Sequence, residues 1–238
     1  MTSEPTPSRD PGTRGTREGQ GYAVRWHLVL PVKELDRAKT RLVPPSPLAR
    51  PDLAHAMARD TLEAAVAAVS AERVLVVTSD ARAVAAAAEL GVRTLPDPAA
   101  GLDAAVLAGL RVVREAAGED ARTGAETVPG LAVLLGDLPS LRAEDLTRAL
   151  VRCTAYPEAV VPDAAGTGTV LLTSTRGLPH PSFGPGSADR HARRATRLDL
   201  DLPRLRRDVD TVADLRAATA LGVGRHTAAV LRGPGRPT

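Results

Sequence analysis

Three continuous apolar runs, separated by alanine-rich segments, constrain most strongly what this 238-residue chain can fold into. The first covers residues 28–32, within a strand expected inside residues 23–32, and the other two lie within residues 73–78 and 131–136. Apolar runs without polar alternation are typical of β-strands that are covered on both faces. Because the intervening segments have helical periodicity, we expect an α/β fold with a mostly parallel sheet and right-handed crossovers. Ligands of such sheets bind beyond the carboxyl ends of the strands.

The remaining segments predict shorter elements around this sheet. Helices are expected over residues 51–69, 80–90, 101–117, 142–153 and 187–195, and after a capping pair formed by Thr211 and Asp214. Further strands are expected at 92–95, at 159–162 and 169–173 as a β-hairpin-like insertion, and at the sheet edge over 198–202. Residues 118–130 have the composition of a polar loop.

The chain fits one domain between two tails. Residues 1–22 are rich in Pro, Gly and polar side chains, so we expect a disordered N-terminal tail that cannot recover its ordering entropy by burial. Residues 23–225 are expected to form a single domain, and residues 232–238 a loose C-terminal tail.

Composition limits the partners and the compartment. A net charge of +3 gives no global basic field, so we expect neither nucleic acid nor a membrane as a partner. One cysteine, Cys153, excludes an internal disulfide and suits a reducing compartment. No apolar segment approaches the ~18 residues of a membrane span, and no signal-peptide core is apparent. We therefore expect a soluble, cytoplasmic protein.

The segment that follows the first strand is strongly basic. It carries Lys33, Arg37, Lys39 and Arg41. Cations this close repel one another unless an anion lies among them, and ammonium and guanidinium groups at a strand end suit triphosphate oxygens. A solvated basic turn is the alternative. No G-x-x-x-x-G-K-[ST] motif occurs in the sequence, which excludes a Walker A loop.

Two aspartates are candidate metal ligands. Asp137 follows the most apolar run, and Asp210 precedes the last predicted helix. Together they could hold Mg²⁺, which prefers one or two carboxylates plus phosphate oxygens and water. Alternatively, Asp137 shapes the turn before Pro139 and Asp210 belongs to a helix start. Asp208 competes with Asp210 as a ligand. We expect the extended segment to turn these two side chains to opposite faces, so that only one points at the metal.

Two glycine-containing stretches could form a second anion site. They are Gly166-Thr167-Gly168-Thr169 and Gly184-Pro185-Gly186-Ser187. Glycine allows close backbone approach, and a helix that starts at Ser187 would offer a hydroxyl and free N–H groups to an anion. Two ordinary turns and an N-cap are the alternative. His191, one helical turn beyond Ser187, either faces the same site or points to solvent.

Six motifs follow one another along the chain. They are Leu30-Pro31-Val32-Lys33 with Ala38-Lys39-Thr40-Arg41-Leu42, Gly101-Leu102-Asp103-Ala104-Ala105, Gly136-Asp137-Leu138-Pro139, Gly166-Thr167-Gly168-Thr169, Phe183-Gly184-Pro185-Gly186-Ser187 and Asp208-Val209-Asp210-Thr211. In this order the chain resembles the phosphoenolpyruvate/2-phospho-L-lactate guanylyltransferase family of coenzyme F-420 biosynthesis, from about Trp26 to Leu221. The chain departs from the family pattern at one point, because many relatives have Gly-Thr-Asn where this chain has Gly166-Thr167-Gly168-Thr169. Any contact that the asparagine side-chain amide makes in those relatives is therefore in question here.

The resemblance implies a nucleotidyltransferase-like, three-layer α/β fold of the nucleotide-diphospho-sugar transferase type. It also implies GTP as substrate, Mg²⁺ as cofactor, and transfer of GMP to the phosphate of a three-carbon acid with release of pyrophosphate. By position, the metal ligands would be Asp137 and Asp210, and the acceptor-binding residues would be Thr169, Gly184 and Ser187. The GTP-binding residues would be Leu30, Pro31, Lys33, Lys39, Arg41, Gly101, Leu102 and Asp103. The two aspartates with Lys33, Lys39 and Arg41 would be catalytic.

The acceptor is the least constrained part of this interpretation. Phosphoenolpyruvate and 2-phospho-L-lactate share a phosphate and a carboxylate, and no motif distinguishes them. The Ala-, Arg-, Gly- and Pro-rich composition is similar to that of actinobacterial chains, and the actinobacterial members of the family are expected to use phosphoenolpyruvate. By this analogy phosphoenolpyruvate is the expected acceptor.

An ionised acceptor phosphate needs neither a covalent intermediate nor a general base. Alternatives are a related nucleotidyltransferase with a molybdopterin or sugar-phosphate acceptor, and a non-catalytic GTP-binding protein. A downstream transferase of the pathway could be a partner.

Overall fold

The computed structural model describes residues 23–33, 42, 49–122 and 127–233. Its strands are β1 (Ala23–Pro31), β2 (Val74–Val77), β3 (Arg93–Leu95), β4 (Thr127–Leu134), β5 (Glu158–Pro162), β6 (Thr169–Ser174) and β7 (Thr196–Arg197). Its helices are α1 (Arg50–Val69), α2 (Ala81–Glu89), α3 (Leu102–Arg122), α4 (Ala143–Cys153), α5 (Ser187–Ala192), α6 (Pro203–Arg206), α7 (Val212–Leu221) and α8 (Arg225–Arg232). None of these helices combines the length and the apolar character that crossing a membrane requires. The predicted N-terminal tail and most of the basic segment after Lys33 lie outside the described residues.

The strands form one mixed sheet in the order β3-β2-β1-β4-β6-β5-β7. β1 lies parallel to both β2 and β4, and β2 lies parallel to β3. β6 runs antiparallel to β4 and β5, and in the β5–β6 hairpin Val160 faces Leu172. The predicted α/β class, with a mostly parallel sheet and a hairpin-like insertion, is therefore confirmed.

Helices cover both faces of the sheet, which explains the continuous apolar runs. In β1, Leu28 and Leu30 belong to the core on the side of α1 and α4, whereas Val29 belongs to the core on the side of α3. All three side chains are fully buried. The same alternation between the two cores recurs in β2 and β4. A sheet buried on both faces gives the three layers that the sequence predicts.

The predicted polar loop at residues 118–130 is wrong. α3 continues to Arg122, and β4 begins at Thr127, before the apolar run that marks it in the sequence. Residues 127–130 pair in parallel with residues 23–26 of β1. Backbone pairing with a neighbouring strand therefore extends β4 beyond the segment that its own side chains predict, because tertiary contacts override local preference.

The predicted edge strand at residues 198–202 is also wrong. The edge is β7, which pairs in parallel with Ala159 and Val160 of β5. The Leu198 N–H still donates to the Val160 carbonyl (2.9 Å), and the chain then leaves the sheet. Leu198 and Leu202 are buried all the same. Their alternation has the period of a strand although they pack on the core from a loop.

The last helix, α8, begins at the predicted end of the domain and packs on α1. Asp60 of α1 caps it, because its carboxylate accepts the N–H groups of His226 (3.0 Å) and Thr227 (2.8 Å). A Cβ at Gly224 would lie 2.3 Å from the Asp60 Cγ, so this close approach requires glycine. The cap joins the start of α8 to the middle of α1.

Replacing Asp60 with alanine should lower the free energy of unfolding by about 2 to 3 kcal/mol, because two N–H groups of α8 lose a buried acceptor. Asp60 is only 5% exposed. Urea unfolding at neutral pH measures the effect. Asp52→Ala is the matched control, since Asp52 lies in the same helix and its contact with the described residues is an exposed ion pair with Arg82. Equal losses of stability in the two variants would contradict the capping role.

Candidate active site

A cleft of about 550 Å³ opens at the carboxyl ends of β1 and β4, where the topology predicts a ligand site. Many of the predicted site residues line it. They are Pro31, Lys33, Leu102, Asp137, Thr169, Gly184, Ser187 and Asp210. The fold therefore brings together the start of the basic segment, both candidate metal ligands and all three candidate acceptor residues.

The other predicted site residues lie elsewhere. Leu30 is fully buried in the core, and Gly101 is exposed with a φ of 92°. The Asp103 carboxylate accepts the backbone N–H of Phe183 (2.8 Å), so it holds the loop before α5 without lining the cleft. Lys39 and Arg41 lie outside the described residues. In the part of the chain that the structure describes, Lys33 is the one basic residue that lines the cleft.

Asp208 and Asp210 both line the cleft beside Asp137. The backbone N–H of Val209 donates to the Asp137 carbonyl (3.2 Å), which holds this segment next to the end of β4. Val209 is fully buried, and its two neighbours lie on the cleft side. The expectation that Asp208 and Asp210 face opposite ways is wrong, because residues two apart in an extended segment lie on the same side.

The carboxylates of the cleft suit a hard divalent cation. Asp137, Asp208 and Asp210 offer oxygen ligands, and Asp163 adds a fourth carboxylate to the lining. Mg²⁺ usually takes one or two protein carboxylates and completes its shell with phosphate oxygens and water. Four carboxylates would also repel polyanionic substrates in the same cleft unless cations offset their charge. The donor set therefore fits the ion that the motifs imply.

Among the described residues, one compact group of three potential metal ligands lies away from this cleft. Ligand atoms of Asp60, Glu63 and His226 are within 4.8 Å of one another. The Asp60 carboxylate caps α8, and Glu63 forms an ion pair with Arg225 (2.6 Å). Both carboxylates therefore have a structural role in joining α1 to α8.

The turn that carries Asp137 is held from α1 by Thr61. The Thr61 hydroxyl accepts the Leu138 N–H (3.0 Å) and donates to the Met57 carbonyl (2.9 Å). Thr61 and Leu138 are both fully buried. Sequence reasoning missed Thr61, because a threonine in an alanine-rich helix gives no local signal of a partner 77 residues away.

Thr61→Val should lower the free energy of unfolding by about 1 to 3 kcal/mol, since the buried Leu138 N–H loses its acceptor while the side-chain volume is kept. Urea unfolding measures the loss. Thr61→Ser is the control, because it keeps the hydroxyl and removes only a methyl group. A serine variant less stable than the valine variant would show that packing, and not the hydrogen bond, determines this site.

Asp163 organises the turn that leads into β6. Its Oδ1 accepts the Thr167 N–H (2.9 Å), and its Oδ2 accepts the Gly168 N–H (2.7 Å). A Cβ at Gly168 would lie 2.3 Å from that Oδ2, so only glycine fits. The turn presents Thr169 to the cleft. Sequence reasoning missed Asp163, although an aspartate just before a glycine-containing turn is a known signal of such hydrogen bonding.

Arg190 of α5 holds the loop that carries Gly184. Its Nε donates to the Ser182 carbonyl (3.1 Å), its Nη2 to the Phe183 carbonyl (3.0 Å), and its Nη1 to the Pro185 carbonyl (2.5 Å). A planar guanidinium can bond several carbonyls at once, which a lysine cannot do. Arg190 therefore binds three carbonyls of the loop at the cleft edge, while Asp103 accepts the Phe183 N–H of the same loop. No sequence motif marks Arg190.

His191 does not point to solvent, because it is only 3% exposed. Its Nδ1 lies 2.9 Å from the Thr169 Oγ1, and its Nε2 accepts the Ser182 N–H (2.8 Å). Burial lowers the pKa of His191 to about 4. The negative charge of Asp103 raises this pKa and the positive charge of Arg190 lowers it, but burial is the largest effect. The imidazole is therefore neutral at pH 7, and it contacts the acceptor candidate Thr169.

Residues 52–201 match the MobA-like NTP transferase domain. This match, in a three-layer fold with a cleft at the strand ends, identifies the chain as a nucleotidyltransferase. Two solved structures share the fold with TM-scores of 0.54: a nucleotide-diphospho-sugar-transferase-like protein of Desulfovibrio desulfuricans G20 and 4-diphosphocytidyl-2C-methyl-D-erythritol synthase. The first protein is 16% identical in sequence, and the match covers 87% of this chain and 94% of that protein. The second is 12% identical, and the match covers 84% of this chain and 99% of that protein. These likenesses confirm the predicted fold type.

Closer relatives define the family. A protein of Geodermatophilus obscurus named phosphoenolpyruvate guanylyltransferase is 48% identical over 225 residues, which cover 91% of this chain and 99% of the relative. A protein of the same name from Streptomyces coelicolor is 47% identical over 212 residues, which cover 87% and 96%. The chain belongs to the phosphoenolpyruvate guanylyltransferase family, as the six motifs predict.

Proposed function

We propose that this chain transfers GMP from GTP to the phosphate of phosphoenolpyruvate, which gives enolpyruvoyl-2-diphospho-5'-guanosine and pyrophosphate. The observation that carries the proposal is that Lys33, Asp137 and Thr169 line one cleft, in a chain that belongs to this family. A cation-bearing strand end suits the donor triphosphate, and hydroxyls with glycine-containing turns suit a second anion. The reaction joins two anions, so both halves of the cleft are needed.

On the donor side, Lys33, Lys39 and Arg41 would hold the triphosphate and offset the charge that develops on the departing pyrophosphate. Lys33 lines the cleft, whereas the roles of Lys39 and Arg41 rest on the sequence motif. Pro31 and Leu102 also line the cleft and would contact the guanosine. The proposed contacts of Leu30, Gly101 and Asp103 are indirect, since these residues shape the surrounding backbone.

On the metal side, Asp137 and Asp210 would hold Mg²⁺, with Asp208 as the alternative to Asp210. When bound, such an ion supplies positive charge to the phosphates of donor and acceptor. The carboxylates themselves fix where that charge lies, between the donor and acceptor halves of the cleft. The acceptor phosphate is already ionised at neutral pH, so no protein side chain has to remove a proton from it.

On the acceptor side, Thr169, Gly184 and Ser187 would bind the phosphorylated three-carbon acid. Thr169 and Ser187 bring hydroxyls, and Gly184 brings backbone without a side chain to a loop fixed by Arg190. 2-Phospho-L-lactate carries the same phosphate and carboxylate and is the alternative acceptor. Molybdopterin and sugar phosphates are acceptors of related nucleotidyltransferases, and they define the second alternative.

One assay tests the proposal. The purified protein is incubated with each NTP, Mg²⁺ and a panel of acceptors that contains phosphoenolpyruvate, 2-phospho-L-lactate, molybdopterin and a sugar phosphate, and pyrophosphate release is followed. We expect release only with GTP and phosphoenolpyruvate. Pyrophosphate release with 2-phospho-L-lactate alone would identify that compound as the acceptor instead. No release with either three-carbon acid would reject the proposal. GTP binding without pyrophosphate release under any condition would indicate a non-catalytic GTP-binding protein.

The place of the reaction in coenzyme F-420 biosynthesis is part of the same proposal. It is supported by the motif resemblance, as is a downstream transferase that consumes the GDP-linked product. A cytoplasmic location is supported by the single cysteine, which suits a reducing compartment. The near-balanced charge of the chain supports small-molecule substrates over nucleic acid or membrane partners. Conversion of the purified product by an extract that contains the later enzymes of that pathway would test this assignment.

A further inference from the structure

His191 makes a buried contact behind the acceptor half of the cleft that the proposed function does not use. Its Nε2 accepts the backbone N–H of Ser182 (2.8 Å). An amide N–H can only donate, so Nε2 carries a lone pair and the proton of the neutral ring is on Nδ1. Nδ1 therefore donates to the Thr169 hydroxyl across 2.9 Å.

This ring proton fixes the direction of the hydrogen bonds that follow. Thr169 accepts from His191 and also from the Ser187 hydroxyl (3.2 Å), so both lone pairs of its Oγ1 are used and its own proton remains. If the bond between the two hydroxyls runs the other way, the Ser187 proton remains instead. In either arrangement the pair has one proton left to donate, and both residues line the cleft.

We propose that His191 is a positioning residue, which makes the hydroxyl pair of Thr169 and Ser187 a hydrogen-bond donor to an anionic oxygen of the phosphorylated acceptor. The inference deepens the proposed function and rests on it. Phosphate and carboxylate oxygens only accept hydrogen bonds, so a spare proton matches them and a spare lone pair would repel them. Because the donor is set before the acceptor arrives, binding needs no reorientation of these groups.

The surroundings of the ring maintain this arrangement. Phe183 packs edge-on against His191 with 4.9 Å between ring centroids, and the imidazole is 3% exposed. Burial lowers its pKa to about 4, and the charged groups that act on it are Asp103, which raises the pKa, and Arg190, which lowers it. A neutral ring with one proton on a fixed nitrogen is therefore maintained at physiological pH.

A double-mutant cycle between His191 and Thr169 tests the proposal through the kinetics of the full-length protein. The single variants are His191→Gln, which offers the Ser182 N–H an acceptor at the Nε2 edge, and Thr169→Val. Each should raise the KM for phosphoenolpyruvate by about 10-fold or more and leave the KM for GTP unchanged. The double variant should be no worse than Thr169→Val alone, because His191 acts through that hydroxyl. Additive effects, or an equal rise in both KM values, would overturn the proposal.

His191→Asn is the matched variant, because its amide lies at the Nδ1 edge and can still donate to Thr169. We expect it to retain more affinity for phosphoenolpyruvate than His191→Gln. If His191→Asn is as defective as His191→Gln, the contact with Thr169 is not what the ring contributes, and the proposal fails.

A spectroscopic measurement separates this inference from the proposed function. In ¹⁵N-histidine-labelled protein at neutral pH, NMR should show His191 protonated on Nδ1 and unprotonated on Nε2, with the signal identified by its loss in His191→Gln. A proton on Nε2 overturns the inference whatever the activity. A wild-type protein that releases no pyrophosphate with either three-carbon acid rejects the proposed function instead, and the acceptor role of the hydroxyl pair with it.

Discussion

Asp137→Asn should lower kcat for guanylyl transfer by roughly 10²- to 10³-fold, with the free energy of unfolding changed by less than about 1 kcal/mol. Asparagine keeps the size and one oxygen of the side chain but removes the negative charge that would hold a cation at the end of β4. The backbone bond from Val209 to the Asp137 carbonyl does not involve the side chain, so the neighbouring segment stays in place. Initial rates of pyrophosphate release with GTP and phosphoenolpyruvate measure kcat, and urea unfolding measures stability.

The control is Asp201→Asn, which neutralises an exposed aspartate that does not line the cleft. We expect wild-type rates from it, so that a general effect of lost charge is distinguished from a local one. A near wild-type rate for Asp137→Asn at saturating Mg²⁺ would show that the proposed metal assignment is wrong.

The same assay compares Asp208 with Asp210. Both side chains line the cleft, so their location alone does not decide between them. With Asp210 as the second ligand, Asp210→Asn should approach the loss of Asp137→Asn, and Asp208→Asn should retain more activity. The reverse order would assign the ligand to Asp208.

Most of the fold could be predicted because it depends on patterns that act locally. The strands of the sheet centre are covered on both faces, and this burial is visible as uninterrupted apolar runs in β1, β2 and β4. The errors occur where partners far along the chain decide the structure. Residues 127–130 become strand only because residues 23–26 lie beside them, and Leu198 and Leu202 are buried from a loop.

The residues of the candidate site also fall into two groups, those that local motifs mark and those that act through contacts no motif marks. That Lys33, Asp137 and Thr169 line one cleft could be predicted, because they lie at one edge of the sheet in turns that carry recognisable motifs. Thr61 and Arg190 could not, since each acts on the backbone of a segment that no spacing rule connects to it. Thr61 and Arg190 hold in place the backbone segments that carry the motif residues.

Lowering the pH from 7 toward 4 should destabilise the wild-type protein more than His191→Gln, with a difference of up to about 3 kcal/mol. The pKa of His191 is about 4 in the folded protein, against 6.5 for an ordinary histidine, because burial disfavours the charged ring. Between these two values the unfolded chain binds a proton that the folded chain does not. The free energy of unfolding therefore falls as the pH falls through this window, and glutamine removes this part of the dependence because it does not titrate.

Urea unfolding of both proteins at several pH values between about 7 and 4 measures this difference. Burial also lowers the pKa of His55, but His55 is present in both proteins and its contribution cancels in the comparison. At pH 7 the variant reports the cost of losing the ring's contacts with Thr169 and Phe183. The additional change at lower pH therefore isolates the cost of protonating a buried ring. Parallel pH profiles for the two proteins would contradict the buried, neutral state of His191 on which its proposed role depends.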